Sequence, residues 1–135
     1  MRREDVQIWL ERYIAAWSSY DETAIGELFA DEAEYRFQPW GEPVRGRADI
    51  VRAWVAPDGN ESSRDAPDSW AAHYDVWSFD GERADAIGES RYTNPDGSFR
   101  TLYYNHFALR FDGHGKCVEF VEYFMELPEK LRAGR

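Results

Sequence analysis

Cysteine, basic charge and long apolar runs are all scarce in this sequence, and each shortage closes off a class of protein. Cys117 is the only cysteine, so no disulfide can form within the chain. Its neighbours Val118 and Phe120 mark it as a buried thiol on a strand, without assigned chemistry. Sixteen Lys and Arg residues stand against 26 Asp and Glu, a formal net charge of −10. Such a field repels phosphate backbones and anionic lipid heads, and the basic residues are scattered, so neither nucleic acid nor a membrane is an expected partner. No apolar run approaches the roughly 20 residues that cross a bilayer. The opening Met1-Arg2-Arg3-Glu4-Asp5 enters an amphipathic pattern with no signal-peptide core, so a cytoplasmic protein is expected.

What is present is aromatic. Of 135 residues, 16% are Phe, Trp or Tyr, including six Trp and eight Tyr. Rings in that number need a place to pack, and two outlets are open: a ring-lined cavity, or a dense core with a dimer face. The length suits one domain spanning residues 1–135.

Trp9, Leu10, Tyr13, Ile14 and Trp17 recur at helical spacing and predict an amphipathic helix over about residues 4–19. Asp21 is a natural N-cap for a short second helix carrying Ile25, Leu28 and Phe29 and ending near Asp31. Ala33, Tyr35 and Phe37 then alternate with Glu34, Arg36 and Gln38, a strand broken by Pro39-Trp40-Gly41. Ile50, Val51, Trp54 and Val55 share one face of a third helix. Residues 57–68 are polar, with two prolines, and read as a surface loop that is either a lid or a connector.

Four long strands follow, Trp70 to Phe79, Arg83 to Thr93, Phe99 to Phe111 and Lys116 to Glu126. Asp80-Gly81, Asn94-Pro95-Asp96-Gly97 and Asp112-Gly113-His114-Gly115 separate them, all turn chemistry suited to an antiparallel meander. Helices followed by hairpin-linked strands give an α+β fold, a curved antiparallel sheet wrapped around N-terminal helices. Strands this long twist and curl, leaving a cone-shaped interior with room for a pocket.

The run Arg12-Tyr13-Ile14-Ala15-Ala16-Trp17, leading into Leu28-Phe29-Ala30-Asp31-Glu32-Ala33, resembles the opening of ketosteroid isomerases and of the wider SnoaL-like group in the nuclear transport factor 2-like superfamily. Asn105-His106-Phe107-Ala108-Leu109-Arg110-Phe111-Asp112-Gly113, followed by Glu119-Phe120-Val121-Glu122-Tyr123-Phe124, is similar to the closing hairpin of SnoaL-like proteins. The resemblance covers nearly the whole chain and implies a cone-shaped barrel with an apolar pocket. It implies that Tyr13 is the buried phenol that donates a hydrogen bond to a developing oxyanion. The isomerase base would fall at Gln38, which cannot take a proton. The second isomerase acid would fall near Phe107, and the cyclase acid near Met125. Three missing carboxylates argue against steroid isomerisation and against the cyclase mechanism. Scytalone dehydratase, another branch of the fold, uses a strand histidine that falls near His73, while its helix aspartate appears as Ser18.

His73 lies in an alternating strand with Asp75, Trp77 and Phe79. If that face lines the cavity, His73 assisted by Asp75 is a proton-transfer group; otherwise it is an ordinary strand histidine. Two ligands at alternating spacing fall short of the three or four a metal needs, so no metal or cofactor is expected. Of Asn105 and His106 only one faces inward, and the resemblance favours Asn105; His114 sits in a turn. Glu89 and Arg91 read as a solvent-facing pair opposite Ala84, Ala86, Gly88 and Ser90. At most one of Glu119 and Glu122 points inward. Glu122, beside Val121, Tyr123 and Phe124, is the stronger acid or base, unless it is a strand-edge charge or pairs with Arg110. The pocket wall is expected from Trp17, Tyr35, Trp40, Trp54, Trp77 and Tyr103, with Gln38, Asn105 and Phe107. The expected partner is a small hydrophobic ring compound, the expected assembly a homodimer through the outer sheet face, and the expected activity cofactor-free lyase, isomerase or cyclase chemistry or non-catalytic binding.

Overall fold

The computed structural model describes residues 1–135. Helix α1 (Arg3–Ser19) and the short α2 (Glu22–Glu27) lead into strand β1 (Phe29–Arg36); β2 (Val44–Arg45) and α3 (Arg47–Val55) follow. Two 3-10 turns, Pro57–Gly59 and Glu61–Ser63, carry the chain to β3 (Trp70–Phe79), β4 (Arg83–Thr93), β5 (Phe99–Phe111) and β6 (Cys117–Glu126). The sheet has the order β2-β1-β6-β5-β4-β3 and is open, with β2 and β3 at its edges. The last four strands form the expected antiparallel meander. β1, in contrast, lies parallel to β6.

The second helix stops at Glu27, and β1 begins at Phe29, earlier than the sequence pattern placed them. The cause is β6. Cys117 donates its backbone N–H to the Leu28 carbonyl at 2.9 Å and pairs with Phe29, drawing these residues into the sheet. Asp21 caps α2 as expected, accepting from the Ala24 N–H at 3.0 Å.

Helix α1 lies across the inner face. The Trp9 ring meets Phe29 and Phe111 edge-on, and its indole N–H reaches the Leu28 carbonyl at 3.0 Å. Tyr13 stacks on Phe120, 5.5 Å away, which stacks in turn on Tyr35 at 4.3 Å. Offset and edge-on contacts of this kind add to burial. The side chain of Gln7 acts as a neighbour for edge strand β3, donating to the Tyr74 carbonyl at 2.9 Å and accepting from the Val76 N–H at 3.0 Å. Part of that edge is thereby paired internally. No helix is long and apolar enough to cross a membrane.

Candidate functional site

Aromatic packing fills the lower part of the fold and leaves a cavity of about 810 Å³ between α1, α3, the 57–68 loop and the inner face of the sheet. Trp17, Tyr35, Trp54, Tyr103 and Asn105, all expected in the wall, line it, together with Tyr13 and Glu122, expected as catalytic groups. Phe37, Gln38, Asp58 and Arg100 line it while remaining exposed, and so mark its mouth.

Glu122 projects inward because it shares the face of Phe120, fully buried two residues before it, past the β5–β6 register shift that sets Cys117 and Phe120 three residues apart on the inner side. Its carboxylate accepts a hydrogen bond from Asn105 Nδ2 at 3.0 Å, and the Asn105 carbonyl oxygen accepts from the Ser90 hydroxyl at 3.1 Å. Arg110 does not reach it, pairing instead with Glu119 at 2.8 Å. Burial pushes the Glu122 carboxyl up to about 7, with the Asn105 bond opposing the rise.

Tyr13 and Tyr35 are buried, their hydroxyls 3.2 Å apart. Burial, reinforced by the Glu122 charge, holds both phenols well above their ordinary pKa, so they remain protonated donors. The Trp54 indole nitrogen is covered and has no hydrogen-bond partner.

A second carboxylate, Asp65, reaches this cavity from the 57–68 loop, which carries no hydrophobic periodicity. Asp65 accepts from the Trp17 indole at 3.2 Å, while its backbone N–H donates to the Tyr20 hydroxyl at 3.0 Å. Burial raises its pKa, and the Trp17 bond, the Arg100 charge and the Tyr92 hydroxyl pull it partly back. Tyr74 and Tyr92 also line the wall; Tyr92 shares the parity of Gly88 and Ser90 on β4, and Tyr74 faces the same way because it pairs with Gly88 across the β3–β4 hairpin.

His73 and Asp75 do not face the cavity. They lie on the outer face of the sheet, 77% and 62% exposed, with His73 Nε2 3.0 Å from Asp75 Oδ2. A register shift between Val76 and Ser78 explains the misreading. Phe79 packs against the core, but the bulge puts it on the face of Tyr74 and Val76, opposite His73. Trp77 is consequently exposed on the outside. Trp40 is exposed in the bend after β1, and Phe107 is buried in the core beneath the cavity, so neither lines it. Met125 is exposed, out of phase with Glu122.

On the outer face a shallow concavity of about 650 Å³ includes His73, Asp75, Ile87, Glu89, Tyr104, His106, Tyr123 and Met125. His106 pairs there with Asp85 at 2.7 Å. No group of three or more His, Cys, Asp or Glu residues is arranged to hold a metal ion.

The SnoaL-like domain family matches residues 10–120. No curated protein matches the sequence. Among solved structures, a nuclear transport factor 2-like protein of unknown function from Burkholderia xenovorans LB400 is 20% identical, with 96% of this chain and 92% of that one aligned and a TM-score of 0.65. The epoxide hydrolase/cyclase-like enzyme SalBIII, described in pyran ring formation in the polyether salinomycin, is 16% identical, with 93% and 95% aligned and a TM-score of 0.67.

Proposed function

The chain belongs to the SnoaL-like domain family, and we propose that its cavity takes up a small, largely apolar ring compound and carries out cofactor-free acid/base chemistry of the lyase, isomerase or cyclase kind. One observation carries this reading: Glu122, a carboxylate with no cationic partner, sits in the wall of an aromatic cavity with its pKa pushed up to about 7. Near neutral pH it exists in both forms, so it can take a proton from a bound compound and return it elsewhere. Asn105, fixed by Ser90, orients the carboxylate. Tyr13 and Tyr35, held protonated, are placed to donate to an oxygen that gains negative charge as the proton leaves. Trp17, Trp54 and Tyr103 supply ring contacts, and Gln38 stands at the mouth. Proton transfer is thus proposed for Glu122, with Tyr13 as hydrogen-bond donor, and not for His73 with Asp75.

The carboxamide at Gln38 and the apolar residues Phe107 and Met125 favour a second reading, a non-catalytic binding module. A thermal-shift screen of ring ketones, phenols, epoxides and small terpenoids separates the two, because a ligand bound only by the folded state raises its melting temperature. The enzymatic reading expects a hit that is turned over, with turnover lost in Glu122→Gln and binding kept. Saturable binding without turnover supports the module, and no binding by any compound contradicts both.

The same proposal takes residues 1–135 as one domain acting in the cytoplasm as a homodimer. Trp77, Tyr104, Tyr123 and Met125 leave large apolar groups exposed on the outer sheet face, and a second copy is the proposed cover.

A further inference from the structure

The cavity holds two inward carboxylates, and neither is in an ion pair, the Arg100 charge acting on Asp65 only from a distance. Glu122 is held by the Asn105 amide and Asp65 by the Trp17 indole, both neutral donors. The ion pairs of the chain are made elsewhere and include neither residue. The two arginines of the wall face rings instead: the Arg64 guanidinium lies 4.7 Å from the centre of the Tyr20 ring and that of Arg100 5.1 Å from Tyr92. Rings of this wall therefore already serve as seats for positive charge.

A neutral ring compound would satisfy the aromatic wall but would displace water from both carboxylates and offer no charge in return. Taking a carboxylate out of water is costly unless it is paired. A compound carrying both a ring and a positive charge meets both demands, and the chain's net charge of −10 draws such a compound in. Resting on the reading of the cavity given above, we propose that its ligand is a ring compound bearing a protonated amine, with the ammonium drawn in by the charges of Glu122 and Asp65 and the ring against the Tyr and Trp wall.

Isothermal titration of the full chain with tryptamine and with its neutral counterpart tryptophol tests this, since the two share the indole and differ in the charged group. Tryptamine is expected to bind about tenfold or more tightly than tryptophol. The preference should fall severalfold in Glu122→Gln and disappear in the Glu122→Gln/Asp65→Asn double variant, with tryptophol affinity kept. The control Glu129→Gln, which removes an exposed charge that does not line the cavity, should leave it intact. Circular dichroism establishes that each variant folds; Asp65→Asn keeps an oxygen for the Trp17 indole. Equal affinity for the two compounds, or a preference that survives the double variant, overturns the amine proposal and leaves the ring-binding reading standing. Failure of both compounds to bind counts against both.

Discussion

Glu122 has the most to lose from its surroundings. Its unfolded-state pKa is near 4.5 and its folded value about 7, so the folded chain resists ionising it. The sign follows: the protonated group is fully tolerated below pH 4.5, and that stability is lost as pH rises through 7. At pH 8 the cost approaches about 3 kcal/mol, the free energy of a shift of roughly two and a half units. Glu122→Gln keeps an oxygen for Asn105 and carries no charge. Urea unfolding at pH 8 should therefore show the variant more stable than the parent by up to about 3 kcal/mol, with the difference shrinking toward zero at pH 4.5. Equal stability at both pH values would mean that Glu122 is well solvated.

Among the elements, the hairpin strands were legible because turn residues punctuate them and hydrophobic alternation runs between the turns. Alternation limited each of the pairs Asn105/His106 and Glu119/Glu122 to one inward member, the family resemblance then favoured Asn105 and apolar neighbours Glu122, and the outward pair Glu89 and Arg91 followed from alternation directly. His73 was misplaced for a local reason, since one bulge after Val76 returns Phe79 to the core and leaves His73 outside. Asp65 was hidden because a loop has no periodicity, and its position depends on the distant Trp17 and Tyr20. The parallel seam between β1 and β6 joins segments far apart in sequence, and no local pattern encodes it. Gly88 gives a test of the sheet itself. A Cβ there would lie 1.9 Å from the His73 carbonyl oxygen and 2.7 Å from the Tyr74 ring, so β3 can approach β4 only because the side chain is missing. Gly88→Ala should cost about 2 kcal/mol or more by urea unfolding, and an unchanged midpoint would show that the two strands can part cheaply.

At the scale of the whole molecule, the curved sheet has two working faces. Its inner face, with α1, makes the cavity; its outer face leaves Trp77 64% and Met125 74% exposed. Across that outer surface Tyr104 pairs with Met125, and His106 with Tyr123, so Tyr104, Tyr123 and Met125 adjoin. The proposed homodimer buries them. Sedimentation velocity should give a dimer for the parent chain and a monomer for the Trp77→Lys/Met125→Lys variant, with far-ultraviolet circular dichroism unchanged. A parent that sediments as a monomer at high micromolar concentration would remove the dimer from this account.

The central claim is that an inward carboxylate of this cavity changes charge near neutral pH, and the most direct measurement is carboxyl carbon NMR of the labelled protein titrated from pH 3 to 9. One glutamate resonance, absent in Glu122→Gln, should titrate with a midpoint near 7. If that resonance titrates near 4.5 instead, Glu122 is an ordinary solvated carboxylate and cannot be the proton-transfer group proposed for the cavity.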